Sequence, residues 1–187
     1  MSNIWDEREE SMELDEYQQR MIDRLLPIIA GKKVLDIGCG YCNIELELAD
    51  VAGSFTAVDD SKIRVQKSQE RCAKYDNINV QLADENLLPY FDVVFSFRTF
   101  QHMEKKQFKA YCKTAYRVLK NNGIFIFQVV ERYLDYQPIR GKITHLAHTE
   151  KEISKALKMF DEVKYEREII PRKKRNFPWL WIEAKKC

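Results

Sequence analysis

The sequence predicts a doubly wound α/β sandwich, a mostly parallel seven-stranded sheet with an antiparallel last strand and helices on both faces, in three layers. Three observations carry this expectation. From Lys33 onward, short apolar runs alternate with segments of helical period, the pattern of parallel strands joined by right-handed crossovers. The run "IFIFQVV" is apolar on both faces, as a strand covered on both sides must be. The chain then closes with two strand-like segments joined only by "PRKKRN", and so short a link points to an antiparallel pair.

Each element follows from its own pattern. Leu14, Tyr17, Met21, Ile22, Leu25 and Ile29 recur at helical spacing, which predicts an amphipathic helix from about Ser11 to Leu26. "KKVLDI" reads as the first buried strand and "NIELELAD", with Ile44 and Leu48 four apart, as a helix. "SFTAVDD" is the second strand, and Ser61 caps the helix "KIRVQKSQERCAKY". "NINVQLA" and "FDVVFSF" are the third and fourth strands. Phe108, Tyr111, Cys112, Ala115, Val118 and Leu119 share one helical face, and "NNG", Asn121 to Gly123, is expected to end that helix. Thr149 and Glu152 have capping-box spacing, predicting a helix from Glu150 to about Met159. "DEVKYEREII" and "FPWLWIEAKK" are the last two strands.

The bulk composition narrows the class. The chain has 187 residues, 45% hydrophobic, enough for one domain with a sizeable core. The net charge is only +2, so no global field for nucleic acid is implied. The charge is nonetheless uneven. Residues 1–30 carry eight acids against three arginines, and residues 164–187 carry eight bases against three acids, which suggests two solvated surfaces that face each other. The five cysteines, Cys39, Cys42, Cys72, Cys112 and Cys187, are odd in number. The acidic start "MSNIWDEREESMELDE" has no apolar core of a leader peptide. The expectation is a cytoplasmic protein with reduced thiols.

The segment "KVLDIGCGYCNIELELAD" holds two overlapping patterns. Asp36, Gly38 and Gly40 suit a glycine turn between a strand and a helix, where a Cβ-free backbone approaches a ligand beside unpaired helix N–H groups. Cys39 and Cys42 form a C-x-x-C pair. A dinucleotide fingerprint would need a third glycine at position 43, where the chain has Asn43. An acid at the end of the second strand, Asp59, suits a ribose diol, since a carboxylate accepts both hydroxyl protons. A zinc site wants a second thiol pair, and Cys72 and Cys112 stand alone on predicted helices. No metal is therefore expected.

Five motifs in register now give a specific resemblance. "DIGCGYC" resembles the first motif of class I, Rossmann-like, S-adenosylmethionine (SAM)-dependent methyltransferases of the small-molecule type, D/E-x-G-x-G-x-G, with Cys42 in the place of the last glycine. "AVDDS" resembles the second motif, with Asp59 as the ribose-binding acid and Asp60 beside it. "ADENLLPYFDVVFS" resembles the next pair. There Asp84, with Glu85 beside it, stands where the family contacts adenine, and Ser96 ends the fourth strand. "FRTFQHM" resembles the following segment and "RVLKNNGIFIFQ" the turn into the fifth strand. The match covers about residues 33–130.

The resemblance implies a single domain over 1–187. Residues 1–30 form an N-terminal helix and lid, 33–130 the SAM-binding core, 131–148 a substrate-side segment, and 149–187 the C-terminal helix and two strands. It implies a cofactor site at Asp36, Gly38, Cys39, Gly40, Asp59, Asp60, Asp84, Glu85 and Ser96, with S-adenosylhomocysteine (SAH) as product. His145, His148 and His102 are candidate bases, and Arg98, Tyr133, Asp135 and Tyr136 candidate acceptor contacts. The chemistry implied is in-line methyl transfer to O or N, aided by alignment and desolvation. "SFRTF" lacks both the Asn/Asp-Pro-Pro-aromatic run and the Pro-Cys nucleophile of nucleic-acid enzymes. A small-molecule acceptor is favoured, with no membrane partner. "PRKKRN" beside Phe177 and Trp179 leaves open an RNA or protein acceptor, and Cys42 leaves open a SAM-binding module without turnover.

Overall fold

A computed structural model describes residues 12–83, 87, 90–131, 148–170 and 177–187. The strands are β1 (Lys33–Ile37), β2 (Ser54–Asp59), β3 (Ile78–Leu82), β4 (Phe91–Ser96), β5 (Leu119–Val130), β6 (Glu162–Ile170) and β7 (Phe177–Lys185). They form one sheet in the order β3-β2-β1-β4-β5-β7-β6. The neighbours from β3 to β5 pair in parallel, and β7 runs antiparallel to both β5 and β6. The expected doubly wound sheet with its reversed last strand is thus observed. Strand order reverses between β1 and β4, which opens a crevice at their carboxyl ends.

Residue alternation assigns the two faces. Val34, Val93, Ile126 and Trp181 point to one core, and Leu35, Val94, Phe127 and Ile182 to the other. The first core is covered by α1 (Glu16–Leu25), α2 (Asn43–Leu48) and α3 (Lys62–Cys72), and the second by α4 (Lys105–Val118) and α5 (Glu150–Leu157). Phe100, in a 3-10 turn after β4, is the hub of the second core. It lies edge-on to Phe108, Phe125 and Phe127 with ring centroids 5.3–6.0 Å apart and is fully buried.

Local chemistry sets the element ends. Ser61 caps α3 by accepting from the Arg64 N–H, and Thr149 and Glu152 form the expected capping box of α5. Two boundaries differ from the sequence reading. α1 starts at Glu16 instead of Ser11, because the Asp15 carboxylate accepts from the N–H groups of Tyr17 and Gln18 and stops the helix there. α4 ends at Val118, before "NNG". Residues 119–123 instead enter β5 through a register shift against Phe91 and Val93, and Asn122 there is left-handed, φ 62°.

The two oppositely charged ends of the chain do face each other, through their minority charges. Arg24 of α1 donates to both carboxylate oxygens of Glu166 in β6, at 2.8 and 2.7 Å, and Arg20 pairs with Glu168. The Arg24 guanidinium also lies 4.3 Å over the Trp181 ring, a cation–π contact.

Phe100→Ala is expected to lose about 3–5 kcal/mol of stability, the cost of a large buried aromatic truncated among packed rings. Urea denaturation checks it: the midpoint falls and the slope stays the same.

Candidate functional site

The crevice at the carboxyl ends of β1, β2 and β4 is a cavity of about 280 Å³, close to the lower end of small-ligand pockets. Its floor is the turn between β1 and α2. Three residues of that turn are left-handed at alternate positions: Gly38 (φ 87°), Gly40 (φ 57°) and Cys42 (φ 57°). The N–H groups of Gly38 and Cys39 both donate to the Val58 carbonyl, at 2.8 and 3.1 Å. This double bond to one acceptor bends the chain out of β1. A Cβ on Gly38 would meet the Thr99 hydroxyl at 2.2 Å, whereas one on Gly40 would meet nothing within 4 Å. Gly38 is therefore required by packing, and Gly40 leaves open space on the cavity side.

Asp59 ties the turn to β2. One carboxylate oxygen accepts from Gly40 N–H at 3.0 Å and the other from Ser61 N–H at 2.9 Å. Each oxygen keeps a second lone pair for a hydroxyl donor. Asp60, next along the wall, is hydrogen-bonded by Tyr111, whose phenol is pushed up to about 12 by burial and then by the Asp60 and Asp59 charges.

The candidates from sequence fall into three groups. Asp36, Gly38, Cys39, Gly40, Asp59, Asp60, Arg98 and His102 line the cavity. Arg98, itself left-handed at φ 57°, donates to Asp15 at the start of α1 at 2.6 Å. Ser96 and His148 stand off the wall. The Ser96 hydroxyl is buried and donates to the Ile37 carbonyl at 2.7 Å, tying β4 to β1. The His148 imidazole is 1% exposed, packs on Phe108 at 4.5 Å and has Nε2 3.2 Å from the Phe100 carbonyl. Burial lowers its pKa, which makes it a neutral core residue and not a base facing the cavity. Asp84, Glu85, Tyr133, Asp135, Tyr136 and His145 lie outside the described residues.

Sequence reasoning missed Gln18, Thr99, Tyr111 and Trp179, which also line the cavity. Tyr111 was legible only as part of an apolar helical face. Trp179 stands at the centre of an aromatic cluster, 5.6 Å from Tyr17 and 5.7 Å from Phe97, which only the strand order brings together.

Beneath the turn lies a second group that the linear sequence dispersed. Asp36 and Glu45 are 3% and 0% exposed, and their carboxyls abut. Burial, and then each other's charge, hold Asp36 well above the usual carboxylate range. Burial raises Glu45 to about 7. Between them they keep a proton at neutral pH. The Cys39 and Cys42 thiols and a Glu45 oxygen lie within 4.8 Å of one another, and Cys72 adjoins Cys42. The hydrogen bond from Cys42 favours the Cys39 thiolate. Burial and the neighbouring carboxylates outweigh it and push that thiol up to about 12.

The geometry agrees with comparisons to known proteins. The profile of a family described as "Methyltransferase domain" matches residues 28–181. The 27-O-demethylrifamycin SV methyltransferase of Amycolatopsis mediterranei (strain S699) is 33% identical over 64% of this chain and 46% of its own length. The cyclopropane-fatty-acyl-phospholipid synthase of Escherichia coli (strain K12) is 30% identical over 67% of this chain and 33% of its own length. The chain thus spans between a third and a half of these relatives. Among solved structures, TehB from Haemophilus influenzae superimposes with a TM-score of 0.75 at 18% identity, over 90% of this chain and 62% of that one. The 1,6-didemethyltoxoflavin-N1-methyltransferase of Burkholderia thailandensis, solved with its substrate and SAH, does so at 0.72 and 20% identity, over 92% and 79%.

Two outcomes are expected from the turn, both read by urea denaturation in EDTA. Cys42→Gly retains about 1 kcal/mol more stability than Cys42→Ala, because only glycine relieves the left-handed backbone. Stability of the wild type falls as pH rises from about 5 to about 8. The native state holds a proton on the Asp36–Glu45 pair that the unfolded carboxylates have released, so the slope is negative, amounting to about 3 kcal/mol across the window. Glu45→Gln flattens it.

Proposed function

The chain belongs to the methyltransferase-domain family, and from that premise we propose that it transfers a methyl group from SAM to an O or N nucleophile of a small molecule, leaving SAH. The observation that carries this reading is Asp59, whose carboxylate is held by the Gly40 and Ser61 N–H groups at the cavity wall, with open space above Gly40. That is the acceptor a ribose diol would need, next to room for an extended amino-acid tail. SAM supplies an electrophilic methyl on a sulfonium, which leaves as a neutral thioether.

The residues present fit such a cofactor. Asp59, with Asp60 fixed by Tyr111, would accept from the ribose hydroxyls. Gly38, Cys39 and Gly40 would lie along the methionine part, and Asp36 beneath the turn would balance its amino group. Asp84 and Glu85 would serve the adenine side. The acceptor would be met by Trp179, Arg98 and His102, which line the same cavity: an indole for a flat apolar body, a guanidinium for an anionic group and an imidazole for a proton. Two named proteins above support a small-molecule acceptor, one an O-methylating relative and one an N1-methylating fold neighbour. No helix among the described residues is long and apolar enough to cross a membrane, and we place the protein in the cytoplasm as a single domain over 1–187. "PRKKRN" lies outside the described residues, so the RNA or protein acceptor gains no support from the fold.

Titration calorimetry with SAM is expected to show one site, and Asp59→Ala to weaken it at least about tenfold, the loss of charge-assisted hydrogen bonds, while circular dichroism stays native. Binding of NAD in place of SAM would overturn the assignment. Turnover of labelled SAM against a metabolite panel separates a methyltransferase from a binding module.

A further inference from the structure

We propose that Cys39, Cys42 and Glu45 form a site for one zinc ion behind the glycine turn, with Cys72, next to Cys42, as the nearest further thiol. The sequence argued against a metal because the C-x-x-C pair had no second thiol pair. Folding supplies a carboxylate in place of that pair. The first turn of α2 brings Glu45 to Cys39 and Cys42, and α3 places Cys72 next to Cys42.

The geometry and the donor chemistry agree. In a tetrahedral zinc site with Zn–S of about 2.3 Å, ligand atoms stand roughly 3.5–4 Å apart. The Cys39 and Cys42 sulfurs and the Glu45 oxygen already lie within 4.8 Å of one another, so a small contraction suffices. Cys42 points inward because it is left-handed and fully buried. Thiolates with one carboxylate suit a borderline ion such as zinc, and not calcium or magnesium, which take oxygen.

An independent observation points to a cation. Glu45 is 0% exposed, and apart from the proton it shares with Asp36 neither of its carboxylate oxygens has a hydrogen-bond donor from another side chain among the described residues; the same holds for Asp36 Oδ1. Buried carboxylates without donors are costly. The nearby cation, Arg71, is committed elsewhere, to the Tyr41 and Met12 carbonyls and Asn43 Oδ1. A divalent ion would neutralise the group, with Asp36 supporting Glu45 from outside the ligand shell. Its role would be to brace the turn, and it does not depend on methyl transfer.

The test is cobalt titration of the reduced, chelator-treated full-length protein. Thiolate-to-cobalt charge transfer and strong tetrahedral bands are expected to saturate at one equivalent and to bleach when zinc is added. Cys42→Ser is expected to weaken cobalt binding by more than about a hundredfold, beyond the loss typical of residues outside the ligand shell. Cys187→Ser, at an exposed thiol, should change nothing. Should Cys42→Ser not fold, X-ray absorption on zinc-loaded wild type decides alone, with a sulfur-dominated shell expected. A shell of nitrogen and oxygen only, the absence of charge-transfer bands, unchanged binding in Cys42→Ser, or oxidation of the pair to a disulfide without metal uptake would each overturn the site.

Discussion

The rest of the site depends on one carbonyl, that of Val58 at the end of β2. It accepts from two successive N–H groups, of Gly38 and Cys39. A strand cannot offer two adjacent donors to one acceptor while it stays extended. β1 therefore ends there, and the chain passes through left-handed backbone at 38, 40 and 42 before α2 begins. Thr99, reached from the other side, fills the space a Cβ at Gly38 would occupy. β1, β2 and the segment after β4 are thus locked together at the point where strand order reverses. A cavity between strand ends is general to this topology. What is particular here is that its floor is backbone, held by hydrogen bonds that no surface side chain supplies.

That floor also explains why acids gather under it. Asp36, Glu45 and Asp59 converge on the turn, but only Asp59 receives backbone N–H groups there, one from Gly40 of the turn and one from Ser61 at the start of α3. Its partners therefore offset part of the cost of burying its charge, although the net shift is still upward. Asp36 and Glu45 receive none of comparable geometry, and burial keeps a proton between them. One fold feature thus produces two electrostatic outcomes, an acid on the cavity wall held by two N–H groups and a proton-sharing pair behind it.

Much of this was legible in the linear order and some was not, for identifiable reasons. Strand periods, the caps at Ser61 and Thr149, and the glycine spacing are local properties, so they read directly. Asp59 was legible because it closes a strand one crossover after the turn. The start of α1 was misplaced because Asp15 competes for the N–H groups that a longer helix would use. The end of α4 was misplaced because Asn122 could serve either as a helix cap or in a bulged strand entry, and pairing with β4 decided between them. Tyr111, Trp179 and the Cys72–Cys42 contact join segments far apart in sequence, and no local pattern marks such encounters. His148 looked like a cavity residue by position, yet the apolar faces of Phe100 and Phe108 draw its ring into the core.

The cavity lining is built by two different means. The floor at Gly38 to Gly40 uses backbone and one strand-end acid, so it changes little when surface side chains change. The rest of the lining uses side chains from other segments, among them Gln18 from α1, Arg98 paired to Asp15, and Trp179 from β7. α1 is held there by Arg20 and Arg24 on β6 glutamates, ion pairs that are partly exposed and individually worth little. Its firmer anchor is apolar, the burial of Met21, Ile22 and Leu25 in the first core. Asp15, the cap of that helix, in turn holds Arg98. The side-chain lining therefore depends on how α1 and β7 pack, and it meets the backbone floor where Gln18 accepts from Asn43 and Thr99 packs on Gly38.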